Sequence, residues 1–376
     1  MSLLERLRAE IAQSGPLTVA QYMHRCLHDP RDGYYATRPA LGEAGDFITA
    51  PLVSQMFGEL LGLWAVEVWT RLASPSRVRL VEVGPGDGTL MSDILRAAKV
   101  APAFLQAVDV WMVETSKPLM QAQVRKLAEA PVGARWVEAL SDIPAGAPVI
   151  LIANELLDCL PARQLVRTDK GWAERMVGLS EQGLALGLAE PLPPAGRGWG
   201  GGVSSASGGV SPPHPSPSPQ GGGGGGAVWE VSPAQEAFGQ TVAELIARDG
   251  GAALLIDYGR AEPDFGDTLQ ALKGHRKVDP LACPGEADLT VHADFPAVLA
   301  AARKAGAQTA ILTQGEFLRR LGIEHRAAAL AKAAPERAET IGRQLDRLVA
   351  PDQMGELFKA ACIYAGPTPP GFEETT

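Results

Sequence analysis

The run Leu80-Val81-Glu82-Val83-Gly84-Pro85-Gly86-Asp87-Gly88-Thr89-Leu90 constrains this chain more than any other. An apolar stretch from Val78 ends in an acid, and three glycines then come at alternate positions. A helical pattern follows at once, with Leu90, Met91, Ile94, Leu95 and Ala98 on one face. Strand, glycine turn and helix in that order bring the backbone close to a ligand at the carboxyl edge of a parallel sheet. Glycine is required where the turn uses φ > 0 and leaves no room for a Cβ. A dinucleotide fingerprint, G-x-G-x-x-G, would need glycine at position 89, which is Thr89. A glycine-rich turn taken alone is compatible with a purely structural role. Here the acid offset and the strand–helix context favour a ligand site.

The spacing acid-x-G-x-G-x-G resembles motif I of S-adenosylmethionine-dependent methyltransferases. Strand–helix alternation continues from residue 77, as in a parallel α/β sheet. Strands are predicted at 77–83, 108–114, about 134–137, 148–153 and 252–257, with helices near 88–99 and 117–129. Ahead of them, 52–72 is apolar at helical spacing through Met56, Leu60, Leu63 and Val66, so Phe57 and Trp64 read as core. Residues 162–187 alternate like a hairpin pair with a turn at Thr168 to Gly171. The stretch 196–226 is almost all Gly, Ser and Pro, which cannot bury enough apolar surface to offset its chain entropy and reads as disordered. A helix at 236–248 precedes a polar loop from 259 to about 288. A helix at 293–305, a strand at 309–312, two or three helices and a last strand at 358–364 complete the pattern. That last strand reads as the edge of a seven-stranded sheet.

Two further strand ends carry chemistry. Glu114 closes the second strand, where a carboxylate can accept both hydroxyls of an adenosine ribose; an ordinary polar strand end is the competing reading. The loop around 136–142, with Glu138, is where adenine would lie. The apolar strand 150–153 delivers Asn154 and Glu155 to the same edge as Gly84, with Asp158 about one turn on. Paired carboxylates suit a cationic acceptor, because they hold a guanidinium by charge-assisted hydrogen bonds. Leu156-Leu157 stands where a D/N-P-P-Y motif would carry Pro-Pro, which disfavours a base or planar-amide acceptor. A helix N-cap at Asn154 with acids in its first turn is the alternative. The Gly-punctuated loop 42–51, holding Asp46, and His275 in 273–277 read as loops on composition, and stand next in line if the acids at 154–158 do not act.

Composition bounds the partners. Lys plus Arg number 34 against 43 Asp plus Glu, a net charge of −9, and there is no basic block. Nucleic-acid binding, which rests on neutralising phosphates, is therefore not expected. No segment reaches the roughly 18 apolar residues that span a bilayer. The first 13 residues read as a charged helix rather than a signal or transit peptide, so a cytoplasmic location is expected. Cys26, Cys159, Cys283 and Cys362 show neither C-x-x-C nor regular spacing, so neither disulfides nor a metal site are expected.

Taken together, several blocks identify the chain as similar to the MidA-type family, relatives of mitochondrial complex I assembly factor 7. They are GPLTVAQYM at 15–23, HDPRDGYYA at 28–36, GDFITAPLVSQMFGELLGLW at 45–64, VEVGPGDGTLMSDILRA at 81–97, NELLDCLPARQ at 154–164, IDYG at 256–259, GHRKVDPLACPGEADLTVHADF at 274–295 and TQGEFLRRLGI at 313–323, with MGELFKA at 354–360 as a last echo. The resemblance implies a class I, Rossmann-like seven-stranded methyltransferase sheet with an N-terminal helical cap and inserted hairpin and helical elements. The cap would be 1–76, the methyltransferase domain 77–195 and 227–366, and 367–376 a flexible tail. It implies S-adenosylmethionine as donor, and symmetric dimethylation of an arginine on a core subunit of the complex I peripheral arm. Glu82, Gly84, Pro85, Gly86, Asp87, Gly88 and Glu114 would then bind the cofactor, while Glu155, Asp158 and Asn154 handle the acceptor. Asp87 stands where relatives often carry arginine, and 196–226 interrupts a region the family keeps short. A cofactor-binding assembly factor without turnover, or a small-molecule methyltransferase, are the rival functions.

Overall fold

Near-continuous apolar runs are what a strand needs when helices cover both faces of its sheet. Five such runs form parallel neighbours here. In the computed structural model, which describes residues 1–37, 49–191 and 226–373, they are β1 (Val78–Val83), β2 (Val108–Val113), β3 (Ala134–Val137), β4 (Val149–Asn154) and β5 (Gly251–Arg260). With β6 (Gln308–Thr313) and β7 (Phe358–Ala365) they make a sheet of order β3-β2-β1-β4-β5-β7-β6. The order reverses between β1 and β4, so a crevice opens at their carboxyl ends. Apart from all but Gly226 of the Gly/Ser/Pro run, Asp46 with most of the 42–51 loop, and residues 374–376 of the predicted tail, every element predicted from the sequence falls within the described residues.

The last strand differs from expectation. β7 is antiparallel to both β5 and β6 and lies between them, leaving β6 at the edge. Burial explains this: Ala360, Ala361, Cys362 and Ile363 are fully buried, whereas no residue of β6 is buried. An apolar strand left at an edge would present unpaired backbone groups to solvent or to another chain.

Alternate side chains sort into two cores. Val78 and Leu80 of β1, with Ile150 and Ile152 of β4, pack under α1 (Gln55–Arg71) and α2 (Thr89–Ala97). Val81 and Val83, with Leu151, face α4 (Pro233–Asp249) and α5 (Phe295–Lys304) on the other side, while α3 (Lys117–Lys126) follows β2. Phe57 and Trp64 of α1 are core as predicted, but Leu63 is exposed and Val66 only partly buried. The inward face keeps Met56 and Leu60 as predicted and adds Phe57, Leu61, Trp64, Ala65 and Val68.

A third cluster sits beside the carboxyl edge. Helices Leu3–Ser14 and Val19–His28 bury Leu7, Ile11, Tyr22 and Met23 against Cys159, Val177, Ala271 and Leu289. The division of the chain therefore differs from a cap of 1–76: the first two helices join the inserted strands, while α1 belongs to the sheet. The predicted hairpin pair at 162–187 is three strands, 163–168, 171–180 and 183–188, extended by 228–231 and by 17–18. The expected polar loop before 288 contains a small sheet, 270–273 and 276–278 with 288–290, whose hairpin turn carries His275 at φ 59. Residues 367–373 are not a loose tail: the Phe372 ring packs tilted against Phe317 with centroids 5.1 Å apart, and Trp64 Nε1 donates to Pro370 O at 3.2 Å.

Candidate active site

The glycine turn starts where β1 ends. Gly84 and Gly86 have φ of 65 and 55, the left-handed region that a Cβ disfavours. Gly84 N donates to Val113 O at 3.1 Å, tying the turn to β2, and Gly88 N closes it onto Pro85 O at 2.9 Å. The Asp87 carboxylate accepts from Thr89 N and Thr89 Oγ1, both at 2.9 Å, and so opens α2.

Glu114 follows β2. Its Oε1 accepts from Ser116 N at 2.7 Å and its Oε2 from Gln123 Nε2 at 3.0 Å. Each oxygen keeps a lone pair for a further donor. Gln123 is fully buried and joins three elements: the same Nε2 donates to Gly86 O at 2.8 Å, and Oε1 accepts from Trp136 Nε1 at 2.8 Å. Nothing in the motif flags Gln123, because its role depends on α3 lying across the turn.

Between these strand ends is a cavity of about 270 Å³. Its wall holds five carboxylates, Glu82, Asp87, Glu114, Glu138 and Glu155, beside Gly84, Pro85, Gly86 and Asn154. No Lys or Arg lines it among the described residues. Burial, and then the Asp87 charge, hold the Glu82 carboxyl well above its usual range. Burial likewise raises Glu114. Glu82 Oε2 and Asn154 Oδ1 are buried without a hydrogen-bond partner, two acceptors left open at the cavity.

β4 ends at Asn154, and no helix follows it. The N-cap alternative is therefore excluded: Glu155 sits in a turn with φ 52. A left-handed conformation is uncommon for a residue with a Cβ and is held only where the surroundings determine it. Glu155 Oε1 accepts from Ala50 N at 2.9 Å and Asn154 Nδ2 at 3.0 Å. Burial pushes its carboxyl up to about 7, with the Asp158 charge acting in the same direction.

Of the residues predicted to bind cofactor, all but Gly88 line the cavity; Gly88 caps α2 with φ 85, and a Cβ there would meet Gln123. Of the acceptor-side residues, Asn154 and Glu155 line it and Asp158 does not. Asp158 is buried beneath, accepting from Tyr258 Oη at 2.6 Å, because the chain turns down after Glu155 instead of forming a helix. His275 is absent from the wall, and Asp46 lies outside the described residues.

Sequence reading missed His28 and Tyr35, which close the cavity from the N-terminal side. Tyr35 Oη donates to Asp288 at 2.9 and 3.1 Å, and Tyr35 O accepts from Ser116 Oγ at 2.6 Å. Burial, with His24 nearby, pushes His28 down to about 4, so this wall residue is neutral. The block 28–36 was the available signal.

Comparison with known proteins supplies what geometry alone does not. A family model described as "Putative S-adenosyl-L-methionine-dependent methyltransferase" matches residues 60–313. The chain is 37% identical over 393 residues to the protein arginine methyltransferase NDUFAF7 homolog, mitochondrial, of Drosophila melanogaster, covering 97% of this chain and 85% of that one. It is 33% identical over 385 residues to the human mitochondrial protein arginine methyltransferase NDUFAF7, covering 95% and 82%. Among solved structures, a Burkholderia thailandensis protein bound to S-adenosyl-homocysteine superposes with a TM-score of 0.78 at 26% identity, covering 99% of this chain and 92% of that one. Both named relatives are mitochondrial proteins, which overturns the expected cytoplasmic location. Among the described residues no helix is long and apolar enough to cross a membrane.

Proposed function

The chain belongs to the family of S-adenosyl-L-methionine-dependent methyltransferases, and from that premise we propose that it methylates a protein arginine. S-adenosylmethionine is its methyl donor. The acceptor we infer is an arginine of a core subunit of the respiratory complex I peripheral arm, dimethylated in support of assembly. The observation that carries this reading is the wall itself, which among the described residues holds five carboxylates and no Lys or Arg, with Glu155 fixed at the end of β4. A guanidinium stays protonated in proteins, so a site for it needs uncompensated negative charge. The relatives' names, protein arginine methyltransferase, support the same acceptor.

The residues fit the donor. The unpartnered Glu82 Oε2 and Asn154 Oδ1 offer acceptors to its ammonium end, and Gly84, Pro85, Gly86 and Asp87 shape the space beside them. Glu114 offers its remaining lone pairs to the ribose hydroxyls. When bound, the donor supplies an electrophilic methyl group on a sulfonium. Glu155 has Oε1 committed to Ala50 and Asn154, which leaves Oε2 for the acceptor. That oxygen orients one terminal guanidinium nitrogen and takes the proton that nitrogen sheds as its new N–C bond forms. The product guanidinium keeps its positive charge, so once Glu155 has passed that proton to solvent its carboxylate holds the product for a second transfer.

The test is labelled methyl transfer from S-adenosylmethionine to isolated complex I peripheral-arm subunits, read by mass spectrometry. Label in a protein arginine supports the proposal. Label confined to small molecules, or cofactor binding with no transfer at all, overturns it in favour of the rival functions.

A further inference from the structure

Beyond Glu155 the chain turns away from β4, and a set of hydrogen bonds to β5 and its neighbours holds the turn. Glu155 N, one residue past the end of β4, donates to Ile256 O of β5 at 2.8 Å. Leu157 N and Asp158 N then both donate to Asp257 Oδ2, at 2.8 and 3.2 Å. Asp257 Oδ1 accepts from Tyr258 N at 2.8 Å. Tyr258 Oη donates to Asp158 Oδ2 at 2.6 Å, and Val291 N to Asp158 O at 2.9 Å. Gln235 Nε2 closes the set by donating to Leu157 O at 2.8 Å.

Asp257 is fully buried and does not line the cavity. A carboxylate taken out of water is costly unless hydrogen bonds replace its hydration. Here three backbone N–H groups do so, two of them from the turn that carries Glu155. Take the acceptor away, and those two buried N–H groups have no partner in a segment that no strand or helix satisfies. The left-handed backbone of Glu155, next in chain to this turn, would lose what determines it.

We propose that Asp257 and Tyr258, consecutive on β5, are positioning residues that hold the 156–158 turn and thereby aim the Glu155 carboxylate into the cavity. The inference rests on the reading of Glu155 as the residue that handles the acceptor. It makes the IDYG block a support for the acceptor side, one strand away from the residue it serves. It also gives Asp158 a different task from the one its sequence position suggests: the far end of the turn, clamped by the Tyr258 hydroxyl.

A double-mutant cycle tests this, using labelled methyl transfer to complex I peripheral-arm subunits alongside cofactor titration by calorimetry. Asp257→Asn places an amide N–H₂ against either Tyr258 N or the two turn donors, and should lower kcat by about 10-fold or more while cofactor Kd changes less than about 2-fold. In a Glu155→Gln background the same change should cost less than about 2-fold, since there is nothing left to position. Tyr258→Phe keeps the ring packing and should cost roughly 3- to 5-fold, vanishing in the same background; this cycle decides the matter if Asp257→Asn does not fold. Losses that multiply in the double mutants overturn the positioning roles, as does full activity of Asp257→Asn and Tyr258→Phe beside an impaired Glu155→Gln. A fully active Glu155→Gln overturns the reading of Glu155 itself.

Discussion

The backbone N–H of Ala50 donates to Oε1 of Glu155 at 2.9 Å, across 105 positions of sequence. The segment that leads into α1 therefore meets the end of β4 at the cavity, and one oxygen of the acid is spent on holding that junction. The other oxygen is what remains for chemistry. Removing the charge while keeping the hydrogen-bonding shape isolates its contribution, so Glu155→Gln should lower methyl transfer by about 10²-fold, the usual scale for a positioned acid–base group. Cofactor affinity should be nearly unchanged. A transfer assay paired with calorimetry checks both, and equal activity would move the role elsewhere.

The pH dependence follows from the same side chain. With its carboxyl pushed up to about 7, Glu155 is half-ionised near neutrality and gains charge above it, so kcat/KM should rise through pH 7 in the wild type and lose that limb in Glu155→Gln. The stability effect has the opposite sign. A carboxyl whose folded pKa is raised binds protons more tightly when folded, so stability falls as pH climbs from about 4.5 to about 7. Glu155→Gln removes that penalty, and its melting midpoint relative to wild type should gain on the order of 2–4 °C at pH 8 compared with pH 4.5. Calorimetric scans at the two pH values decide it.

Gly86 holds φ 55 in the turn, and its carbonyl is tied to Gln123. Gly86→Val should abolish binding of S-adenosylmethionine, because a branched Cβ both strains this backbone and occupies the cavity wall. The protein should still fold. Titration showing equal affinity for mutant and wild type would refute the placement of the donor against this turn.

Gln123 supports the other half of the site. Gln123→Ala leaves Trp136 Nε1 and one Glu114 oxygen without their buried partner, a loss of about 1–3 kcal/mol for each unsatisfied group. Cofactor affinity should drop by about 10-fold as Glu114 loses its fixed orientation. Gln123→Glu, which cannot donate to Glu114 when ionised, should be no better. Unchanged Kd in both variants would show that Glu114 is held without it.

The C-terminal segment contributes to stability. Phe372 is buried against Phe317, and Arg320 and Arg71 donate to the backbone of Gly371 and Thr368 at 3.0 and 2.8 Å. Phe372→Ala should destabilise the protein by about 3 kcal/mol, the lower end for truncating a buried phenylalanine. Chemical denaturation reads this directly; an unchanged midpoint would show that the segment packs without contributing.

What the sequence determined by itself is local. The apolar run, the glycine spacing and the helical face after Thr89 depend on neighbours within a few residues, so β1, the turn and α2 were legible, along with the acids at strand ends 82, 114 and 155. What only the tertiary structure decided depends on partners a hundred residues apart. β7 slots inside β6 because its alanines and Cys362 fit between two packed strands, a choice that alternation in 358–364 does not encode. Asp158 serves the turn and not the cavity because Tyr258 and Asp257 lie under it on the adjacent strand. Glu155 takes a left-handed backbone, instead of opening a helix, because hydrogen bonds from β5 turn the next residues downward. Hydrophobic period reports which face a residue presents. It carries no information about which distant hydrogen-bond partner that face will meet, and the end of β4 at the cavity is built from such partners.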